Sequence, residues 1–443
     1  MVLRIGVDDT DSLRGMCTTF LATELVRDLT KTWDLIGFPR LVRLNPNIPW
    51  KTRGNGAICV RIGHGRGRPH VVGWIDGSEV RAFPHGEGIE DSHTVADRVA
   101  ALVERWSRFE DPGTNPGFVV LRAAPPEHLY WTGVRSVLTM DEVLRGIGPG
   151  ALVRPYKNGR GVIGAIAATA WRPHDRTYEI LTYRREGAWG THRLLSRESV
   201  IQMDRKFPST FNNYDYEAGR IVLAPRTPCP VLFGIRGDDS KLLRPAMEMI
   251  RGEVPDRWLI LETNQGTDDH VVRERPSAPH RTVRFRGQVR SLPWTIRGGH
   301  VLFSVDSHTV AAYEPSKGFR GIVRGLVPGD TVEIVGAVRP DWGTVNLEKL
   351  RVDSLAPVTR KVGNPVCPQC MRRAKSRGRG AGFRCEICRR HFLNSSAEAI
   401  PVPRTLAPGW YEPPAGSRRH LSLPLKRWED GSSPIRRRSQ SSG

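Results

Sequence analysis

The apolar run Leu3-Arg4-Ile5-Gly6-Val7 ends abruptly in Asp8-Asp9-Thr10-Asp11-Ser12. A short run of this kind reads as a buried strand. Phe20, Leu21, Leu25, Val26 and Leu29 then recur at helical spacing. A strand tip, an acidic loop and a helix start therefore fall within about a dozen residues, the place where α/β folds hold their ligands. Three carboxylates this close repel one another unless a cation sits among them. Oxygen ligation of this kind suits Mg²⁺ carrying a nucleotide phosphate. Asp8, Asp9 and Asp11 are thus candidate catalytic groups, with the hydroxyls of Thr10 and Ser12 beside them. The competing reading is a solvated turn in which Asp and Ser cap the helix.

Thr18 and Thr19 fall near the start of that helix. Free backbone N–H groups and the helix dipole favour a phosphate there. A hydroxyl in such a spot can hydrogen-bond a phosphate or accept one. Further on, Asn45-Pro46-Asn47 leads to Lys51-Thr52-Arg53-Gly54-Asn55-Gly56-Ala57. Proline stiffens a loop while glycine lets a phosphate approach the backbone, so an anion cradle is one reading. Lys51 and Arg53 would carry the neutralising charge; a turn-rich surface loop is the other reading. Neither a Walker GxxxxGK[ST] sequence nor a Rossmann GxGxxG precedes a helix.

The chain has 443 residues, enough for two to four domains. Lys+Arg 67 against Asp+Glu 46 leaves a formal charge of +21, which calls for a polyanionic partner, nucleic acid first. No segment approaches the ~20 consecutive apolar residues of a membrane span. The N-terminus enters a strand at once, so no signal peptide is expected. Cys17, Cys59 and Cys229 are scattered, which fits a reducing compartment and a cytoplasmic protein.

Four ordered modules and a tail are expected. Residues 1–126 carry the acidic strand tip, a strand at Ala57–Ile62 and a helix through Val95, Val99, Leu102, Val103 and Trp106 that Asp91 and Ser92 can cap. Residues 127–273 alternate strands and single helices, as a ferredoxin-like α+β sandwich would. Within them, Phe207-Pro-Ser-Thr-Phe-Asn-Asn-Tyr-Asp-Tyr-Glu217 sets aromatic rings beside two acids. Tyr214, Asp215 and Glu217 there suit a cationic ligand through charge pairing and cation–π contact, or anchor a loop to the core. Thr263-Asn264-Gln265-Gly266-Thr267-Asp268-Asp269-His270, at a strand end, is a further candidate. Residues 276–357 show short period-two runs between Gly and Pro turns, as in an OB-fold β-barrel.

Residues 360–397 hold Cys367-Pro-Gln-Cys370 and Cys385-Glu-Ile-Cys388. Two thiolate pairs at this spacing close on a tetrahedral, structural Zn²⁺ and predict a zinc ribbon. Residues 398–443 are rich in Pro, Ser and Arg, a composition that reads as a disordered tail.

Together these segments resemble the archaeal isoleucine-tRNA 2-agmatinylcytidine (agmatidine) synthetases. The likeness runs over about residues 1–395 and rests on Gly6–Ser12, Gly15–Thr19, Asn45–Ala57, Gly161–Ala165, Thr210–Asp215, Phe233–Gly237 and Thr263–Thr267. It implies a kinase-like α/β catalytic domain ahead of the ferredoxin-like, OB-fold and zinc-ribbon modules. It further implies an ATP-dependent ligase that joins agmatine to carbon 2 of the first anticodon cytidine of a CAU-anticodon isoleucine tRNA. On that resemblance, Asp8, Asp9 and Asp11 hold Mg²⁺ on ATP, Thr18 accepts or binds a phosphate, and Thr10, Ser12, Thr19, Lys51 and Arg53 join the nucleotide site. Tyr214, Asp215 and Glu217 would meet agmatine. Two rivals remain on sequence: a barrel-and-ribbon nucleic-acid-binding factor without ligase activity, and a metal-dependent phosphoesterase built on the three acids.

Overall fold

The computed structural model describes residues 2–52, 54–340 and 343–428. Arg53, one of the expected phosphate cations, and residues 429–443 of the expected tail lie outside the described residues. The chain is a multidomain α+β protein of mixed sheets, a barrel and a four-cysteine ribbon.

Strand β1 (Leu3–Asp8) buries Leu3, Ile5 and Val7 on one face, as its alternation demands. That face meets α1 (Thr18–Leu29) and α2 (Ser92–Trp106), whose apolar stripes fill one core. Asp91 caps α2 by accepting from the Thr94 N–H at 2.9 Å. After α1 the chain returns along the sheet in β2 (Arg40–Arg43) and the long β3 (Gly56–Arg66). Strand β4 (Gly117–Leu121) follows α2, and β1 lies antiparallel between β3 and β4. The opposite face of β1 carries Gly6, and α3 (Gly161–Ala170) packs directly on it. A Cβ at Gly6 would lie 2.9 Å from Thr169 Cγ2 and run into the Ala165 carbonyl. Only glycine admits the helix that closely.

Residues 127–170, which the composition assigns to the second module, pack instead on the first. Leu129, Tyr130, Val134 and Val143 share a core with α3 and β4, and the strand Leu152–Pro155 pairs with β4. The prolines between 112 and 126 mark a loop inside this unit rather than its end.

The second module continues with β5 (Thr177–Tyr183), β6 (Val231–Gly237) and β7 (Arg257–Thr263). Here β5 lies antiparallel between β6 and β7, and helices Arg197–Lys206 and Ser240–Glu248 cover one face. The two modules do not stand apart. Strand β2 is antiparallel to β3 and parallel to β7, and strand His70–Ile75 pairs with β7, so one 13-stranded sheet runs through both.

Six strands between Thr282 and Ser354 curl into a barrel, which the Val289–Val305 bridge closes. Val283, Phe285, Val301, Phe303, Val305, Val332 and Ile334 fill it at the expected period of two. The ribbon follows as three short paired strands, Lys375–Ser376, Phe383–Arg384 and His391–Phe392.

The expected disorder beyond residue 398 does not hold for the described residues. Glu398–Pro401 pairs with Thr359–Gly363, and Gly409–Tyr411 adds to the barrel strand Val345–Ser354. Leu421, Leu423 and Arg427 are then buried, Leu421 within the core that includes α3 and β4. Arg427 meets Asp238 at 2.7 Å and Asp175 at 3.2 Å. Charge that reads as solvating along the chain is neutralised here by acids 189 and 252 residues away.

Gly6→Ala should lower stability by about 1–3 kcal/mol or more, read as a lower urea midpoint at unchanged slope. Gly148→Ala, where a Cβ meets nothing within 4 Å, should leave the midpoint nearly unmoved.

Candidate active site

Asp8 ends β1 with its side chain against α3, where Gly164 leaves the room it needs. The chain then reverses, with Asp9 (φ 56°) and Met16 (φ 57°) in the left-handed region. Asp8 accepts the Asp9 N–H at 2.7 Å. Arg160, just ahead of α3, reaches Asp9 Oδ2 at 3.0 Å, and the Thr52 hydroxyl donates to Asp9 Oδ1 at 3.2 Å. Burial, with the neighbouring Asp9 charge, holds the Asp8 carboxyl well above the ordinary range. Burial also raises Asp9 to about 6, although Arg160 pulls the other way. Two carboxyls disfavoured as anions beside a third are what a bound cation relieves.

The hydroxyls divide into two groups. Thr10 donates to Thr18 Oγ1 at 3.1 Å, and Ser12 donates to Asp111 Oδ2 at 2.5 Å. Both are fully buried and brace the loop from behind. Thr18 and Thr19 stand at the cavity wall. Cys17, at the helix N-cap, makes no side-chain capping bond, which leaves the first amides of α1 uncapped by it. Tyr183 donates to the Thr19 carbonyl at 2.8 Å and ties this helix end to β5.

These groups open on a cavity of about 390 Å³, within the range of small-molecule sites. Asp8, Asp9, Asp11, Thr18, Thr19 and Lys51 line it, so six of the sequence candidates come together. Burial lowers the Lys51 pKa, and the nearby Arg419 adds to the effect. The wall also carries residues to which the sequence assigned no role: Arg43, Arg160, Glu179 and His420, and from within the quoted motifs Thr52 and Arg236. Glu179, in the middle of β5, accepts from Arg236 Nε at 2.8 Å and from Gln265 Nε2 at 2.5 Å. An acid inside an otherwise apolar strand was the one signal available for it.

Tyr214, Asp215 and Glu217 stand elsewhere. None of them lines the cavity. Asp215 accepts the Ala218 and Gly416 N–H groups at 3.0 and 3.2 Å. Glu217 accepts the Gly318 N–H at 2.6 Å, and Tyr214 is buried beneath Arg197. The Thr263–His270 cluster also lies behind the wall. Asn264 grips the Arg43 backbone from both sides, accepting its N–H at 2.7 Å and donating to its carbonyl at 2.8 Å.

In the ribbon, the ligand atoms of Cys367, Cys370, Cys385 and Cys388 all lie within 4.8 Å of one another. Four thiols gathered this closely match a structural zinc site with no open position. His391 faces Arg377 at 3.0 Å and is exposed.

Comparison with known proteins agrees across the chain. A family model of the TiaS TCKD domain matches residues 4–151, one of the TiaS FLD domain matches 159–270, and one of the TiaS C-terminal zinc ribbon domain matches 364–406. The isoleucine-tRNA 2-agmatinylcytidine synthetase TiaS of Archaeoglobus fulgidus is 40% identical over 439 residues, covering 96% of this chain and 97% of its own. A crystal structure of TiaS in complex with its isoleucine tRNA and ATP superposes with a TM-score of 0.83 at 38% identity, covering 98% of this chain and 99% of that one. A complex of TiaS with the same tRNA, AMPCPP and agmatine gives 0.81 at 36% identity, with coverage of 98% and 99%.

Asp9→Asn removes a buried charge at constant size. Because the folded pKa of about 6 lies above the ordinary 3.8, ionised Asp9 opposes folding above pH 6. The variant should be more stable at pH 8 by on the order of 2–3 kcal/mol at most. That gain should shrink as pH falls from 6 to 4, measured by denaturant unfolding at both ends. ATP-dependent turnover should be lost over the same range in which folding improves.

Proposed function

The chain belongs to the TiaS family of isoleucine-tRNA 2-agmatinylcytidine synthetases, and from that membership we infer an ATP-dependent ligase that joins agmatine to carbon 2 of the first anticodon cytidine of the isoleucine tRNA. The observation that carries this reading is the cavity itself. Acids with raised pKa, a helix N-terminus and an acid–arginine pair from the second module all face it.

Asp8, Asp9 and Asp11 would hold Mg²⁺, which screens the phosphates of ATP and steadies its leaving group. The first amides of α1 and the Lys51 ammonium receive phosphate oxygens. Thr18, with its hydroxyl at the same helix end, is placed to bind or accept a phosphoryl group. Oxygen 2 of cytosine is a poor leaving group until ATP has esterified it. The primary amine of agmatine then forms the C–N bond at carbon 2. The C–O bond breaks, and the oxygen departs with the group ATP supplied. The product base pairs with adenosine rather than guanosine.

Agmatine is a dication and needs acids. Glu179 is on the wall and held in place by Arg236 and Gln265, so it is the acid in position to face it. Asp215 and Glu217 would meet agmatine, with Tyr214 beside them, once a rearrangement freed their carboxylates from the Ala218, Gly416 and Gly318 amides. The barrel, of OB type, and the ribbon take the tRNA. Exposed Arg372, Arg373, Lys375, Arg377 and Arg379 of the ribbon supply phosphate contacts that position without reading sequence. Among the described residues, no helix is long and apolar enough to cross a membrane. We place the protein in the cytoplasm with its tRNA.

The test is transfer of labelled agmatine to a transcript of the CAU-anticodon isoleucine tRNA. Label should appear only with ATP and vanish when the first anticodon cytidine is replaced. Tight tRNA binding without label would leave a binding factor, and cleavage with metal but no ATP would point to a phosphoesterase. Asp11→Ala should reduce transfer about 10²–10³-fold while tRNA binding persists.

A further inference from the structure

Beyond the ribbon, residues 409–428 form a strap across three parts of the molecule, outside the matched range 364–406. Gly409–Tyr411 pairs with the barrel. Trp410 and Trp428 meet edge to face at 4.8 Å, and Arg427 is locked by Asp175 and Asp238. Between these anchors, Arg419 pairs with Glu348 of the barrel at 3.0 Å and donates to Asn47 Oδ1 at 2.6 Å. The next residue is His420. Its carbonyl accepts the Gly266 N–H at 2.9 Å, and the Leu421 carbonyl accepts the Asp268 N–H at 2.9 Å. The backbone on either side is therefore fixed, and the imidazole forms part of the cavity wall. Its Nε2 faces the loop at Gly54, where a Cβ would lie 3.6 Å away, and its buried Nδ1 has no hydrogen-bond partner among the described residues.

We propose that His420 is a positioning residue for the target cytosine, the tRNA-side wall of the cavity. The inference rests on the ligase reading and concerns which of three reactants this corner takes. The charged groups facing the ring are Arg43 and Arg236, and these, with burial, keep the imidazole neutral. Agmatine, a dication, takes the acid Glu179 of this wall rather than a neutral imidazole. The polyphosphate of ATP has its place with the three acids and the α1 amides. The remaining reactant is neutral and fits by hydrogen bonding. Cytosine offers acceptors at O2 and N3 and a donor at N4. Guanidinium N–H groups can meet the acceptors, and a neutral imidazole nitrogen can accept from the amine. The strap also ties this wall to the barrel, which on the proposed reading holds part of the rest of the tRNA.

Two measurements test this. In the agmatine-transfer assay, His420→Ala should raise KM for tRNA about tenfold and leave KM for ATP and for agmatine unchanged. His420→Asn, which keeps a neutral donor and acceptor, should recover part of the loss. The second needs no turnover. The wild type should bind the isoleucine tRNA more tightly than the same tRNA lacking the base at the first anticodon position, and His420→Ala should lose that preference while His420→Asn retains part of it. A shift confined to ATP or agmatine, an unchanged preference for the base, or equal losses for both variants with a lowered melting temperature would overturn the role. Failure of the wild type to transfer agmatine would refute the ligase reading instead, and the binding comparison would still decide whether His420 reads the base.

Discussion

Burial of carboxylates at the end of one strand, with their mutual repulsion added to it, sets the electrostatics of the candidate site. Asp8 and Asp9 are enclosed, and burial alone disfavours their charged forms. Much of the surrounding structure holds that arrangement in place. Gly164 gives Asp8 its space, Arg160 and Thr52 grip Asp9, and Thr10 and Ser12 pin the loop from behind. The protein thereby keeps a site of unfavourable charge at some expense of stability, which on the proposed reading a cation and the phosphates it carries would relieve.

The second constraint is the continuous sheet. Because β2 pairs with both β3 and β7, the second module cannot swing freely away from the first. Arg40, on β2, meets Glu262 of β7 at 2.9 Å inside the joint. This pairing carries Glu179 and Arg236 to a cavity whose other wall is the β1 loop. On the proposed reading, a nucleotide at the acids and an amine at Glu179 would share one enclosure, and the intermediate would not need to diffuse. The strap finishes that enclosure and ties it to the barrel.

How much of this could be read along the chain depends on distance in sequence. The β1 tip and the cysteine pairs are local patterns; the spacing brings Asp8, Asp9, Asp11 and Thr18 forward as candidates and pairs Cys367 with Cys370 and Cys385 with Cys388. The barrel strands announced themselves by period two. Arg160, Glu179, Arg236 and His420 come from four separate elements, and only strand pairing brings them together. The acids at 215 and 217 looked available for a cation because composition cannot show backbone amides already bound to them. The arginines after residue 409 looked solvated for a similar reason. Their partners, Asp175, Asp238 and Glu348, lie in other modules. The proline-rich stretch near 126 misled because a loop within a unit and a linker between units share one composition.

That the target base enters this cavity, rather than staying on the barrel or the ribbon, is the central claim, and a photo-crosslink tests it most directly. An isoleucine tRNA with 2-thiocytidine at the first anticodon position would be irradiated on the protein with a non-hydrolysable ATP analogue, and the adduct peptide sequenced. The adduct is expected in a cavity-lining segment, the loop 43–56, strands β5 and β6, or the strap at 418–421. An adduct found only between residues 282 and 354 or in the ribbon would contradict it.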